Sequence, residues 1–287
     1  MNHNDHTPHT PAHTLSIEPW GLGEQSYLPE QAALHESLLT LGNGRIGVRG
    51  AHEEGAVWAG TFQNDVFING FYESEPIVYP ESAYGFAKTN QFMVRVPNAT
   101  PISFSIDGET FDPKLGQIQG YRRHLDFQSG ALSRLFEWIS PKGQHVRVQS
   151  ERLVSLTRSH LVVQRYSITL LNTVHDSSVI QIHSTISNQA PQKASGGDAI
   201  DDPRVGASLS GQLQYHEFAD GSAFVHHTHH SGLSVATAIT HQIDGTASPS
   251  MSYHHQHDEY VSAHTYSIEC TVGQTLTLSK YSAYCTA

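Results

Sequence analysis

The 287-residue chain is poor in cysteine, in positive charge and in long apolar runs, and each shortage removes a class of function. Its two cysteines, Cys270 and Cys285, both near the C-terminus, cannot make the disulfide framework of a small secreted scaffold or a four-thiolate zinc site, so reduced thiols are expected. Lys and Arg number 16 against 27 Asp and Glu, and the net charge of -11 repels a phosphate backbone and offers no basic patch to anionic lipid. Nucleic acid and membrane are therefore not expected as partners. The chain has no run of 18 apolar residues, and its opening MNHNDHTPHTPAHT has neither the basic nor the apolar segment of a secretion signal, which together predict a cytoplasmic protein. A Walker-type loop, a G-x-S-x-G elbow and an H-E-x-x-H pair are also missing.

What is present is period-two patterning. In HLVVQRYSITLL, Tyr166, Ile168 and Leu170 share one face while Arg165, Ser167 and Thr169 share the other, as a half-buried strand requires. In SSVIQIHSTIS, Ile180, Ile182 and Ile186 oppose Val179, Gln181, His183 and Thr185. PISFSIDGETFD runs Ile102, Phe104 and Ile106 into Asp107-Gly108, a dipeptide that tolerates the positive φ angles of a type I′ turn and so predicts a hairpin. ALSRLFEWISPKGQHVRVQSERLVSL predicts a second hairpin around Pro141-Lys142-Gly143, and GLSVATAIT, EYVSAHTYSIEC and TLTLSKYSAY predict further strands. One short helix is allowed over PEQAALHESLLTL, with Leu34, Leu38 and Leu41 as its apolar stripe and Gly42 as its stop. The fold class is therefore all-β, a large antiparallel sandwich with at most one or two short helices. Residues 1–13, which alternate His with Asn, Asp, Thr and Pro, are expected to be a disordered tail; 14–287 form a single domain, with 187–208 a mobile surface loop.

Four features could carry chemistry. Gly42-Asn43-Gly44-Arg45-Ile46-Gly47 spells the G-x-G-x-x-G of a dinucleotide loop, with Asp65 near the ribose-binding position, but glycines at 50, 55 and 60 oppose the helix on which a pyrophosphate must sit, so a strand and turn is expected instead. Glu53 and Glu54 are adjacent carboxylates; on a strand they would face opposite ways, so salt bridges to Arg45 or Arg49 are expected rather than a glycosidase dyad. Among 21 histidines, the clusters at 226–230 and 254–257 could in principle face each other around a metal, with His227 and His229 on one side, but solvated strand and loop positions are the expectation. Trp58, Phe62, Phe67, Phe71, Tyr72, Tyr79, Tyr84 and Phe86 are dense enough to stack on sugar rings, though sandwich core is the more ordinary use of such residues. No catalytic, cofactor-binding or metal-ligating residue is assigned on this reading.

Five stretches, in order, carry a resemblance: ESLLTLGNGRIGVRGAHEEG, GTFQNDVFINGFYESEPIVYPESAYGF, SFSIDGETFD, YRRHLDFQSGALSRLFEWISPKGQHVRVQSERLVSL and QTLTLSKYSAY. From about Ile17 onward the chain resembles the N-terminal domain of glycoside hydrolase family 65, which holds maltose, trehalose, kojibiose and nigerose phosphorylases and some hydrolases. The run NGFYESEPIVYPESAYGF is closest in look to the kojibiose-type branch. The resemblance implies a super-sandwich, and it makes the glycine motif structural. It also implies a following (α/α)6 barrel, where a glutamate is the general acid and basic and hydroxyl groups hold phosphate. The parent would carry out inverting phosphorolysis of an α-glucosyl disaccharide to β-glucose 1-phosphate and glucose, with inorganic phosphate as co-substrate and no cofactor. This chain alone would then be inactive, supporting the barrel and a homodimer and meeting disaccharide only in the full-length protein. Two alternatives are a trehalase-like hydrolase as parent, or a free-standing carbohydrate-binding module. The domain is expected to expose an apolar and aromatic face from the 60–90 region.

Overall fold

A computed structural model describes residues 15–58, 66–79, 81, 83–188, 212–245 and 251–287. The expected tail, most of the 187–208 loop, Phe62 and Asp65 lie outside the described residues. The described residues build three sheets, all with antiparallel pairings. The largest has ten strands in the order Leu15–Glu18, Gly21–Glu24, Gln117–Asp126, Ala131–Ile139, His145–Val154, Leu161–Asn172, Thr275–Thr286, Ser234–Gly245, Gly221–His227 and Gln212–Phe218. A five-stranded sheet runs Met251–His257, Val261–Cys270, Ser178–Ser187, Ile102–Ile106, Glu109–Thr110, and a four-stranded one runs Leu41–Gly42, Ile46–Val48, Val66–Pro76, Thr89–Arg95.

Both smaller sheets cover one face of the large one. Because side chains alternate along a strand, each strand of the large sheet lends its inward set to this face. Phe136, Trp138, Val146, Val148, Ile168 and Leu278 pack with Phe104, Ile180 and Ile268 of the five-stranded sheet in one core. Leu132, Val154, Val162, Phe224 and Tyr284 pack with Val48, Ile68 and Val94 of the four-stranded sheet in another. The predicted hairpins are in place: Asp107 and Gly108 take φ of 47° and 78°, and Ala131–Ile139 pairs with His145–Val154. Tyr166, Ile168 and Leu170 are buried, as are Ile180, Ile182 and Ile186. Both cysteines are free, Cys270 buried and Cys285 exposed.

Between the two cores runs a polar seam. Arg152, Gln164, Lys280 and His241 lie directly opposite one another on four neighbouring strands, so they share the inward face in one row. Gln164 donates to the Thr100 carbonyl (2.9 Å), Lys280 to the carbonyls of Pro101 (3.0 Å) and Thr185 (2.9 Å), and His241 meets the Ser184 hydroxyl (2.8 Å). Among the described residues the Lys280 amino group is paired with no carboxylate. Burial, with Arg152 adding repulsion, pushes its pKa well below the usual lysine value.

The glycine motif folds as a tight hairpin between Leu41–Gly42 and Ile46–Val48, with Gly44 at φ 84° where a side chain would strain the backbone. A strand follows the loop, so the strand-loop-helix context of a nucleotide site is not met. Asn43 closes the turn: its Oδ1 accepts from the N–H groups of Arg45 (3.0 Å) and Ile46 (2.8 Å), and its Nδ2 donates to the carbonyls of Ser155 (2.7 Å) and Ser159 (3.0 Å). Asn43→Ala should cost about 1–3 kcal/mol, the range for leaving such groups unpaired, read as a lower denaturant midpoint at unchanged slope.

The short helix is Ala32–Leu38, but its apolar stripe is not its buried face. Leu34 and Leu38 are 56% and 49% exposed, and Leu41 belongs to the next strand. The helix instead buries Ala32, His35 and Glu36. The His35 Nδ1 lies 2.7 Å from the carboxylate of Glu24, and this polar pairing sets the helix rotation.

Candidate functional site

Glu53 and Glu54 sit in the turn before the 3-10 segment Gly55–Val57, and there both carboxylates reach the inner face of the ten-stranded sheet. The expectation of opposite faces is wrong because these residues are not on a strand. Their partners are not Arg45 or Arg49 either. Arg134 donates to Glu53 (2.8 Å) and through two nitrogens to Glu54 (2.7 and 2.8 Å), while Arg152 donates to the other oxygen of Glu53 (2.7 Å). Ser150 (3.1 Å to Glu53), Trp58 Nε1 (2.9 Å to Glu54) and the Tyr166 hydroxyl, which donates to Glu54, complete the shell. Arg45 bonds the Thr286 hydroxyl, and Arg49 reaches the Ala33 carbonyl and lies 3.7 Å from Glu36.

The electrostatics follow from this packing. Burial would raise the Glu53 pKa, but Arg152 and Arg134 outweigh it and hold the carboxyl well below the usual range. Burial, followed by Glu54, pushes the Tyr166 hydroxyl up, so it remains a donor. A glycosidase needs one carboxyl able to give a proton and one free to act on the far side of the sugar, about 5–10 Å away. Here both acids are engaged by one guanidinium beneath the surface, so the pair works as an anchor for residues 50–58.

A second ionic knot lies beside the first. Glu24 accepts from Arg123 Nε (2.8 Å) and the Tyr121 hydroxyl (2.8 Å), and Arg123 also donates to the Gly50 carbonyl (2.5 Å). Since Tyr121 spends its proton on Glu24, His52 Nε2, 2.8 Å from the same hydroxyl, must be the donor in that contact. Burial first, then Arg123, Arg134 and Arg152, push the His52 pKa well down, so the ring is neutral and stacks on Trp58 at 4.6 Å.

The outer face of the large sheet carries a shallow polar basin of about 520 Å³ that includes Arg122, Gln149, Glu151, Arg165, Thr169 and Thr277. Hydroxyl pairs floor it, Ser167 with Thr277 (2.9 Å) and Thr169 with Thr275 (2.8 Å).

The two histidine clusters do not converge. His227 bonds Ser234 (2.7 Å), His229 lies in the turn beyond its strand, and His255 bonds Tyr215 (3.1 Å) and Ser262 (3.0 Å). Among the described residues no group of three or more His, Cys, Asp or Glu is placed to hold a metal ion. The aromatic set divides: Trp58 and Phe71 are core, Phe67 is half-buried, and Tyr72, Tyr84 and Phe86 are exposed. Among the described residues no helix is long and apolar enough to cross a membrane.

A family model described as glycosyl hydrolase family 65, N-terminal domain, matches residues 22–287. The chain belongs to this family. Within it, the chain is 36% identical over 200 residues to an α,α-trehalose phosphorylase of Thermoanaerobacter brockii, covering 69% of this chain and 25% of that protein. A kojibiose phosphorylase of Halothermothrix orenii is 28% identical over 149 residues, 50% of this chain and 16% of that one. A solved structure from the human microbiome, provisionally assigned as a kojibiose phosphorylase, superposes with a TM-score of 0.79 over 96% of this chain and 33% of its own, at 17% identity, which bears on the fold alone. This family 65 domain thus spans about a quarter of the trehalose phosphorylase it matches.

Proposed function

We propose that the chain is the non-catalytic N-terminal domain of a disaccharide phosphorylase, supporting an (α/α)6 catalytic barrel in the same polypeptide and taking part in a cytoplasmic homodimer. The observation that carries this reading is the likeness to trehalose phosphorylase over 69% of the chain but only 25% of that enzyme. The saturation of Glu53 and Glu54 by Arg134 and Arg152 supports it, since neither is available to protonate a glycosidic oxygen. In the full-length protein an acid from the barrel protonates that oxygen while phosphate attacks the anomeric carbon from the opposite face. Phosphate arrives already anionic, so no base is needed to activate it, and inversion yields β-glucose 1-phosphate.

The test is to incubate the full-length polypeptide with trehalose, kojibiose or maltose, with and without phosphate. Phosphate-dependent release of β-glucose 1-phosphate from at least one sugar is expected. Equal release of free glucose in the absence of phosphate would make the parent a hydrolase.

A further inference from the structure

The basin on the outer face of the large sheet is set by strand register. Arg122, Leu135, Gln149, Ser167 and Thr277 lie opposite one another on five neighbouring strands, and the row two residues along is His124, Ser133, Glu151 and Arg165. Arg122 and Arg165 thus stand three strands apart and line one hollow. Its floor is short because Ser167 and Thr169 on one strand meet Thr277 and Thr275 on the next, beside the longer side chains of Gln149, Glu151 and the two arginines.

We propose that this basin binds a monosaccharide carrying one anionic group, phosphoryl or carboxylate: Arg122 and Arg165 take the anion, and the hydroxyl floor, Gln149 and Glu151 take the sugar hydroxyls. The site stands independently of the phosphorylase reading. Three observations carry it. The first is charge. The chain carries -11, yet among the described residues neither Arg122 nor Arg165 has a hydrogen-bond or ion-pair partner, and Glu151, directly opposite Arg165, is not paired with it. On the same face Glu137 takes Arg147 (2.7 and 3.0 Å) and His145 (2.9 Å), so charges are satisfied at that corner and two guanidinium forks are left at this one. A fork of parallel N–H donors matches the oxygens of a phosphate or carboxylate. The second observation is the floor. A hydroxyl pair holds two protons and uses one between its members, so Ser167 with Thr277 keeps a donor as well as lone pairs. Gln149 adds both kinds of group and Glu151 adds acceptors, which suits a polyol, whereas a bare anion needs donors alone and is repelled by Glu151. The third is size. A hollow of about 520 Å³ is that of a small-molecule site, roughly 300–1,000 Å³, and exceeds what an inorganic anion fills.

Isothermal titration of the 287-residue chain with glucose 6-phosphate, glucuronate, glucose and inorganic phosphate tests this. Glucose 6-phosphate or glucuronate should bind with Kd below about 1 mM, and the preference between them tells a phosphoryl from a carboxylate site. Glucose and phosphate should each bind at least about tenfold more weakly. Arg122→Gln and Arg165→Gln should each weaken the preferred compound about tenfold, the loss of one charge-assisted contact. Both side chains are exposed, so these variants should melt with the parent. Lys142→Gln, which removes the same charge from the turn between Ala131–Ile139 and His145–Val154, should bind as the parent does. The full-length polypeptide should show the same arginine-dependent binding. Its absence there would mean that this face is covered and would overturn the site. So would binding of none of the four compounds, glucose or phosphate binding as tightly as the charged sugars, or parent affinity in both arginine variants. Each of these failures leaves the phosphorylase reading standing.

Discussion

Arg134→Met should lower the melting temperature of the domain by roughly 10 °C, from a loss of about 3–5 kcal/mol, although methionine is apolar and fits a core. The cause is what remains. Glu53 and Glu54 both rest on this guanidinium, which also lies 5.0 Å from the centre of the Phe136 ring and 5.8 Å from that of Trp58. Burial disfavours the arginine charge, but Glu54 and Glu53 more than compensate and push its pKa up. Among the described residues, removing it leaves Glu54 with Tyr166 and Trp58 as side-chain donors and Glu53 with Arg152 and Ser150, so a buried negative charge is no longer balanced. A combined Arg134→Met, Glu54→Gln variant should recover part of the loss, because the neutral amide no longer needs a cation. Thermal unfolding followed by circular dichroism measures both. A single variant that melts with the parent would show that the knot contributes nothing to stability.

Acid should weaken the domain while Glu53 is still ionised. His264 lies between Tyr253 at Nδ1 (2.8 Å) and Ser222 at Nε2 (2.8 Å), with the His255 and His241 rings at 4.5 and 5.1 Å. Burial, then His255 and Lys280, lower its pKa to about 4; burial, then Lys280 and His264, lower that of His241 to about 2. Both folded values lie below the unfolded value of about 6.5, so the stability at stake is intact above that pH. It is lost as pH falls, because the unfolded chain takes up the protons first. Each histidine removes about 1.4 kcal/mol per pH unit in this window, on the order of 3 kcal/mol from each between pH 6.5 and 4. Glu53 is still ionised there, being held below the usual carboxylate range. Chemical unfolding at pH 7.5, 6, 5 and 4.5 should give a steady decline, and His241→Gln with His264→Gln should flatten it. A stability independent of pH over that interval would contradict this account of the seam.

The large antiparallel sandwich was legible because alternation is strict where one face is buried: Tyr166, Ile168 and Leu170 point inward exactly as their spacing requires, and Asp107-Gly108 turns where its φ tolerance predicts. The ionic knots were not read, yet their signal was in the same pattern. Arg134 is in phase with Leu132, Phe136 and Trp138, Arg152 with Val148 and Val154, and Lys280 with Leu278 and Tyr284, so each is a charge of core parity. What parity cannot supply is the partner. Glu53 and Glu54 come from a turn about 80 residues away from Arg134, and a turn has no period from which to infer direction. The helix stripe misled for a related reason: Leu34 and Leu38 obey helical spacing, but Glu24 holding His35 decides which side docks. Nothing local marked the exposed rings at Tyr84 and Phe86 from the buried ones at Trp58 and Phe71, since exposure depends on where the chain leaves the body of the sheet.

The central claim is that this domain serves a phosphorylase without supplying a reacting group. The most direct measurement is release of glucose 1-phosphate from trehalose, kojibiose and maltose in phosphate buffer by two samples, the 287-residue chain and the full-length polypeptide. The prediction is turnover of at least one sugar by the full-length polypeptide and none by the chain, with the chain shown to be folded by its cooperative melt. Turnover by the folded chain alone would place catalytic groups within it and contradict the account.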